Sequence, residues 1–472
     1  MVLAKWLINC SLWRVNYFTM SNFLTGKKIH FIGIGGAGVS ALARLANDSG
    51  AIVTGSDAND SVIVANLREQ GIAIVEHIPA DVDLVVYSVA VPGDNQDLAS
   101  ARERGLTAMT YPQALGALMR IYQAIGVAGT NGKTTTTAML ASIMINAGAD
   151  PTVVVGSDIP LLNGNARLGA SELMIFESDE YRRAFANYHP YATIITYVGF
   201  DHPDYYQDQA DVNSAFDQYL GQVDPAGFVI VNNDDETSVE LVEKYPGRKI
   251  SFGIDNSAEV MATNIRYQNG KQDFDLIVDS KNLGQIELLI PGRYNVYNAL
   301  AAIAVALQFK VSFENIQSAL GQYQGAKRRF EIVGQIAGKT VISDYAHTPD
   351  AVSQTIAAAR EFYAGQKVLT VFQPHHYSRT KELFNDFAAA FDRADQVIIT
   401  DIFFVLGREN PDDFSVSSEQ LAKAAVEHGA KSIYGGDLAQ TEAMIRSLVA
   451  DYDVILLMGA GSIDNLANKL IN

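Results

Sequence analysis

From Lys27 onward the chain alternates short apolar runs with glycine turns and alanine-rich segments of helix length. Strands buried on both faces read as continuous apolar stretches, and the succession strand, glycine turn, helix, strand predicts crossover units that build parallel sheets. Three such series follow one another. The first holds strands at Lys28 to Ile34, Ile52 to Ser56, Ile72 to Val75 and Leu84 to Ser88, and ends near Tyr122. The second holds Gln123 to Ala128, Leu173 to Glu177, Thr193 to Val198 and Phe228 to Asn232, then a polar, β-rich stretch from Lys249 to Pro291 and a closing helix from Tyr294. The third, after Arg329, holds Thr340 to Ser343, Lys367 to Phe372, Gln396 to Thr400, Lys431 to Tyr434 and Val454 to Met458. The expected fold class is α/β, with three domains over residues 20–122, 123–327 and 328–472; residues 1–19 read as a tail or an upstream-start artefact.

Composition narrows the function. The 472 residues suit about three domains. The excess of 53 Asp and Glu over 35 Lys and Arg gives a net charge of −18, which opposes binding to nucleic acid or to an anionic membrane surface. No apolar run approaches the ~18 residues of a membrane span, and the one cysteine, Cys10, cannot close an internal disulfide; a cytoplasmic protein is expected.

Two glycine turns carry chemistry. Gly33, Gly35, Gly36 and Gly38 form a G-x-G-x-x-G-like turn between a strand and a helix, and Asp57 follows at the end of the next strand. Such a turn lets backbone N–H groups approach a diphosphate at a helix N-terminus, but it does not choose between NAD and a nucleotide sugar. Taken alone it suggests an NAD-dependent oxidoreductase or a noncatalytic nucleotide-binding protein. The second turn, Gly129-Thr130-Asn131-Gly132-Lys133-Thr134, also lies between strand and helix and continues into Thr135. It keeps the Gly-Lys-Thr end of a phosphate-binding loop, with Val127 where the longer motif has its first glycine. Lys133 is placed to neutralise terminal phosphates, and Thr134 to offer a hydroxyl to Mg²⁺. Hard oxygen ligands for that ion are available at the acidic strand end Glu177-Ser178-Asp179-Glu180 and at Asp201-His202, although alone these read equally well as loop residues satisfying local backbone.

The order and spacing of HFIGIGGAGVSALA, GTNGKTTT, NGNARLG, ESDEYRRAF, FDHPDYY, GRYNVYNAL, GAKRRFEIVG, SDYAHTPDAV, FQPHHYSRTKELFNDFA and MGAGSI resemble the Mur ligase family over residues 27–472. The resemblance implies an N-terminal Rossmann-like nucleotide-sugar domain, a central P-loop ATPase-type domain and a C-terminal Rossmann-like ligase domain. It further implies ATP and Mg²⁺, with UDP-N-acetylmuramate and L-alanine as partners, joined through an acyl phosphate in peptidoglycan synthesis by a monomer or homodimer. Carried over residue by residue, it places Gly129 to Thr135 on ATP, with Asn295, Asn298, Arg329, Asp344 and His347 completing that site. Thr134, Glu177 and His202 become metal ligands, and Lys133, Glu177, His202 and Arg379 the catalytic set. His375, His376 and Arg379 meet the amino acid, and Gly33, Gly35, Gly36, Gly38, Asp57 and Ser88 the sugar nucleotide.

Members that add alanine commonly carry His at the position of Asn131 and His-His-Pro at that of His347-Thr348-Pro349; Tyr197 is a further departure. A ligase that attaches a whole peptide to the same nucleotide sugar, or a paralogue with another amino acid, preserves the same motifs and stays open at this point.

Overall fold

The computed structural model describes residues 24–268, 271–404 and 411–471; Cys10 and the segment 1–19 lie outside them. The first sheet is parallel, with spatial order Ala73–Ile74, Ile52–Ser56, Lys28–Ile32, Leu84–Tyr87, Ala108–Thr110. The strand from Lys28 stops at Ile32 rather than Ile34 because Gly33 turns the chain at a φ of 73°. Strand order reverses between Lys28–Ile32 and Leu84–Tyr87, so Gly33 and Ser88 flank the crevice in which open α/β sheets hold ligands.

The second sheet has ten strands. Its parallel centre runs Arg248–Gly253, Phe228–Asn232, Ala192–Ile195, Gln123–Ala128, Leu173–Glu177, Thr152–Ile159. Gly164–Arg167 closes one edge as an antiparallel hairpin partner of Thr152–Ile159, and Val260–Gln268, Lys271–Val278 and Lys281–Leu288 form an antiparallel meander at the other. The helices Lys133–Asn146 and Arg293–Gln308 pack side by side beneath it. In Arg293–Gln308 every residue from Ala299 to Ala306 is buried, and its alanines allow the close approach that a helix apolar all round requires.

The third sheet is ordered Glu331–Ile336, Lys339–Asp344, Val454–Met458, Val368–Phe372, Gln396–Thr400, Ser432–Gly436, parallel except for the first strand. Four strand elements escape the sequence pattern, among them the short hairpin partner Gly164–Arg167. Ala108–Thr110 is too short for any period, Thr152–Ile159 carries the polar turn-like Gly156-Ser157-Asp158, and Glu331–Ile336 is an edge strand with a bulge between Ile332 and Gly334. The predicted strand from Thr193 to Val198 ends at Ile195; beyond it the Thr196 hydroxyl meets the carbonyls of Ala128 and Asn131. Among the described residues no helix is long and apolar enough to cross a membrane.

Candidate active site

At the first turn, Gly35 and Gly38 are fixed by crowding: an added Cβ would meet the Asp57 carboxylate at 2.9 Å and the Tyr111 ring at 2.6 Å. Gly36 precedes the helix Ala37–Asp48 and no side chain caps it, which leaves the N-terminal N–H groups of that helix available to an anion. Asp57 is already engaged. Its two oxygens accept from Gly35 N–H at 2.8 Å and Asn59 N–H at 2.9 Å, so the carboxylate that spacing assigns to a ligand also shapes its own turn. Ser88 accepts from Ala90 N–H at the facing strand end. Below the turn, fully buried His30 is bonded to Thr54 and Ser56, and burial pushes its pKa down to about 4.

The second turn is held by long-range contacts. Gly129 and Gly132 adopt φ values of 135° and 87°, and a Cβ on either would lie 2.0 Å from Thr196 Oγ1 or 2.4 Å from Asn298 Oδ1. The Thr130 hydroxyl donates to Gly199 O and accepts from Gly199 N–H, both at 2.9 Å, while the Asn131 carbonyl is bonded by Thr196. Thr135 is buried in the first helical turn. Asn298 accepts from Thr136 and donates to Asn295, which in turn donates to Pro291 O. These two asparagines buttress the loop from behind.

Lys133 folds back over the loop, donating to the carbonyls of Gly129 and Thr130 and to Glu180 at 2.9 Å. Burial opposes its charge, yet Glu180, Asp179 and Glu177 outweigh that penalty and hold the ammonium above its ordinary pKa. Burial raises Glu177, against hydrogen bonds from the Thr134 hydroxyl and Gly156 N–H. Its Oε1 is buried without a hydrogen-bond partner among the described residues, as is Nδ1 of His202. Among the described residues no cluster of three or more His, Cys, Asp or Glu stands ready to hold a metal. The orphaned oxygen beside a hydroxyl nonetheless fits Mg²⁺, which keeps several waters and shares phosphate oxygens rather than filling an all-protein cage.

His202 has a φ of 56°, is tilted against Tyr181 at 4.8 Å, and lies 3.8 Å from both Glu180 and Asp201. The third sheet meets this cluster. Arg379, on the helix Tyr377–Glu382, donates from Nε (3.2 Å) and Nη2 (2.6 Å) to Asp201 Oδ1, with His375 3.4 Å from Nη1 and His347 4.0 Å from the other Asp201 oxygen. Burial disfavours the Asp201 charge, but Arg379, His202 and His347 hold the carboxyl well below its usual range. Burial, with Arg379, depresses His347 to about 3, and its Nδ1 lies on Tyr345 O. His376 is buried at a φ of 70° just ahead of that helix.

Arg329 reaches Thr134 Oγ1 at 3.3 Å and stacks 4.7 Å over the Tyr345 ring; Arg328 covers the same ring at 4.8 Å. Asp344 accepts from Phe330 N–H and Ala346 N–H, each at 2.8 Å, and burial raises its carboxyl. It thus anchors the segment that carries Arg329.

Two residues at the centre, Glu180 and Asp201, are visible in the sequence only as members of acidic strand ends. Their density at two successive strand ends is the signal, but the partner of each is a distant residue that sequence alone does not supply.

A phosphate-loop sheet flanked by two Rossmann-type sheets, with arginines of the third reaching side chains of the second, defines a nucleotide-dependent transferase or ligase. Sequence models match residues 28–123 (Mur ligase family, catalytic domain), 127–306 (Mur ligase middle domain) and 328–461 (Mur ligase, glutamate ligase domain). The chain belongs to the Mur ligase family. It is 39% identical over 449 residues to the UDP-N-acetylmuramate--L-alanine ligase of Aquifex aeolicus, covering 94% of this chain and 97% of that one. It is 38% identical to the enzyme of the same name from Desulfitobacterium hafniense, covering 94% and 99%. Among solved structures, the UDP-N-acetylmuramate-alanine ligase of Thermotoga maritima superposes with a TM-score of 0.80 at 28% identity, covering 94% of this chain and 98% of that one. A murein peptide ligase from Psychrobacter arcticus shares the fold at a TM-score of 0.70 and 24% identity, covering 94% and 98%.

Proposed function

We propose that the chain is an ATP- and Mg²⁺-dependent ligase that joins L-alanine to the lactyl carboxylate of UDP-N-acetylmuramate in peptidoglycan synthesis. One observation carries the reading: Arg329, just before the third sheet, and Arg379, on the helix Tyr377–Glu382, lie on Thr134 and Asp201 of the central domain, so phosphate-handling and amino-acid-handling groups share one cleft. The near full-length identity to relatives named for this reaction supports it.

In this reading residues 20–122 seat the sugar nucleotide on the first glycine turn, 123–327 hold ATP, and 328–472 supply the amino-acid side. The substrate carboxylate attacks the γ-phosphorus of ATP and the bond to the ADP oxygen breaks; the amine of alanine then attacks the acyl carbon, phosphate leaves and the amine loses a proton. The protein's task is to bring two anions together and keep water out. Lys133 is drawn from Glu180 onto the phosphates, Arg329 adds a second cation, and Arg379, with Nε and Nη2 held on Asp201, offers Nη1 to the amino-acid carboxylate. His375 and His376 line the same side. Mg²⁺, when bound, screens the repulsion between carboxylate and triphosphate; Thr134, Glu177 and His202 are the residues that would hold it.

The test is phosphate release from Mg²⁺-ATP and UDP-N-acetylmuramate with L-alanine, L-serine, glycine or L-Ala-γ-D-Glu-containing tripeptide, with mass detection of the product. Amide formation with alanine is expected. Product with the tripeptide alone would instead assign a peptide-attaching ligase.

A further inference from the structure

The NGNARLG stretch has no place in the chemistry above, yet the structure puts it where all three sheets communicate. Asn165 is 3% exposed and makes three hydrogen bonds to the helix Ala37–Asp48, which the first glycine turn opens. Its Nδ2 donates to Ala37 O at 2.7 Å and Ser40 Oγ at 3.1 Å, and its Oδ1 accepts from Arg44 Nη1 at 2.9 Å. The neighbouring Gly164 has a φ of 149°, and a Cβ there would lie 2.3 Å from the same Arg44 nitrogen, so only glycine admits this guanidinium.

The hairpin that carries Asn165 reaches the other two components of the site. Arg44 Nη1 is 3.7 Å from Asp158 Oδ1. Asp158 accepts from Lys327 N–H at 3.1 Å through its carbonyl and lies 3.3 Å from Lys327 Nζ through its carboxylate, while the Ser157 hydroxyl donates to Lys327 O at 3.0 Å. Lys327 stands two residues before Arg329, whose guanidinium meets Thr134. On the same strand, Gly156 N–H bonds Glu177. Val153 and Val154 are buried and paired to the strand Leu173–Glu177, so the hairpin moves as a piece with that strand rather than flexing alone.

We propose that Asn165 is a positioning residue: through the hairpin Thr152–Arg167 it sets the helix that seats the nucleotide sugar against the segment Lys327–Arg329, so that filling the first site fixes where Arg329 meets the ATP phosphates. This rests on the reading of the two glycine turns given above. A displacement of the Ala37 to Ser40 turn when an anion docks at its N-terminus is passed to Asn165 and Arg44, from them to Asp158, and from Asp158 to the Arg329 segment.

The experiment is calorimetric binding of the nonhydrolysable analogue AMP-PCP with Mg²⁺, with and without saturating UDP-N-acetylmuramate, on the full chain and its variants. In the unsubstituted protein the sugar nucleotide is expected to tighten the analogue about fivefold or more. N165A and D158N should each cut that factor below about twofold, raise KM for ATP and leave KM for L-alanine unchanged, and the double variant should lose no more than either single one. N165D, which keeps an acceptor for Arg44 but turns the donor to Ala37 O into a charged acceptor that repels it, should behave as N165A even if the alanine variant folds poorly. An unchanged factor in N165D and D158N, or independent binding of the two ligands to the unsubstituted protein, overturns the proposal. If either ligand fails to bind the unsubstituted chain, the site reading falls first and the proposal with it.

Discussion

Arg379 places two guanidinium nitrogens on a single oxygen of Asp201, bridging the third sheet to the second with both side chains almost wholly buried. The residue assigned to a substrate carboxylate thus holds a carboxylate of the protein itself. Nη1, turned towards His375, is left as the edge that a second carboxylate can share. Lysine at this position keeps the charge but loses the fork, so Arg379→Lys should raise KM for L-alanine by about tenfold or more while KM for ATP stays within about twofold. Steady-state kinetics decide, and an unaltered KM for alanine removes Arg379 from the amino-acid site.

Glu180 shares Lys133 with two loop carbonyls. Lys133→Met should depress ligation at least about a hundredfold, because the phosphates lose their nearest cation. Glu180→Gln keeps the shape but weakens the charge-assisted bond, and should lower kcat about tenfold. Single-turnover product formation, with circular dichroism to verify folding, separates these from unfolding; near-normal turnover in either variant rejects its role.

His202 sits at positive φ with one ring nitrogen buried and unpartnered among the described residues, a strained arrangement of the kind that persists at functional sites. His202→Ala should move the Mg²⁺ concentration needed for half-maximal rate upward by about tenfold or more. A titration of rate against Mg²⁺ that overlays the unsubstituted protein would count against ligation.

His30 gives a pH dependence with a definite sign. Its folded pKa, about 4, lies below the ordinary value of 6.5, so between those limits the unfolded chain binds a proton that the native one refuses. Stability is therefore full above about pH 6.5 and falls as pH drops towards 4, the loss from this one group being about 2 kcal/mol between pH 7 and 5. His30→Gln should flatten that part of the profile. Urea midpoints at the two pH values test it, and equal losses in both proteins would show that His30 is not the group responsible.

The parts of this molecule that are local in sequence are the parts the sequence discloses. The strand Gln123–Ala128 and the loop through Lys133 are adjacent and carry their pattern with them, as do Val454–Met458 and Gln396–Thr400, apolar on both faces. Thr152–Ile159 fails to announce itself because its last residues turn polar to serve Glu177 and Lys327. Likewise Glu180 meets Lys133 across 47 residues and Asp201 meets Arg379 across 178, distances over which no periodicity speaks. Asn295 and Asn298 illustrate the converse: the motif locates them, while packing shows that they support the loop.

The antiparallel strand Glu331–Ile336 has a mechanical consequence. Because Glu331 pairs with Ser343, near the C-terminal end of its neighbour, the chain enters the third sheet on the side where Asp344 and Arg329 stand. A pivot at residues 327–330 would contain Arg329, which meets Thr134, and lie farther along the chain from Arg379, and rotation displaces atoms in proportion to their distance from the axis. A swing that carries Arg379 clear of Asp201 moves Arg329 much less. On the proposed reading, such a swing widens the space beside Arg379 more than the contact between Arg329 and Thr134.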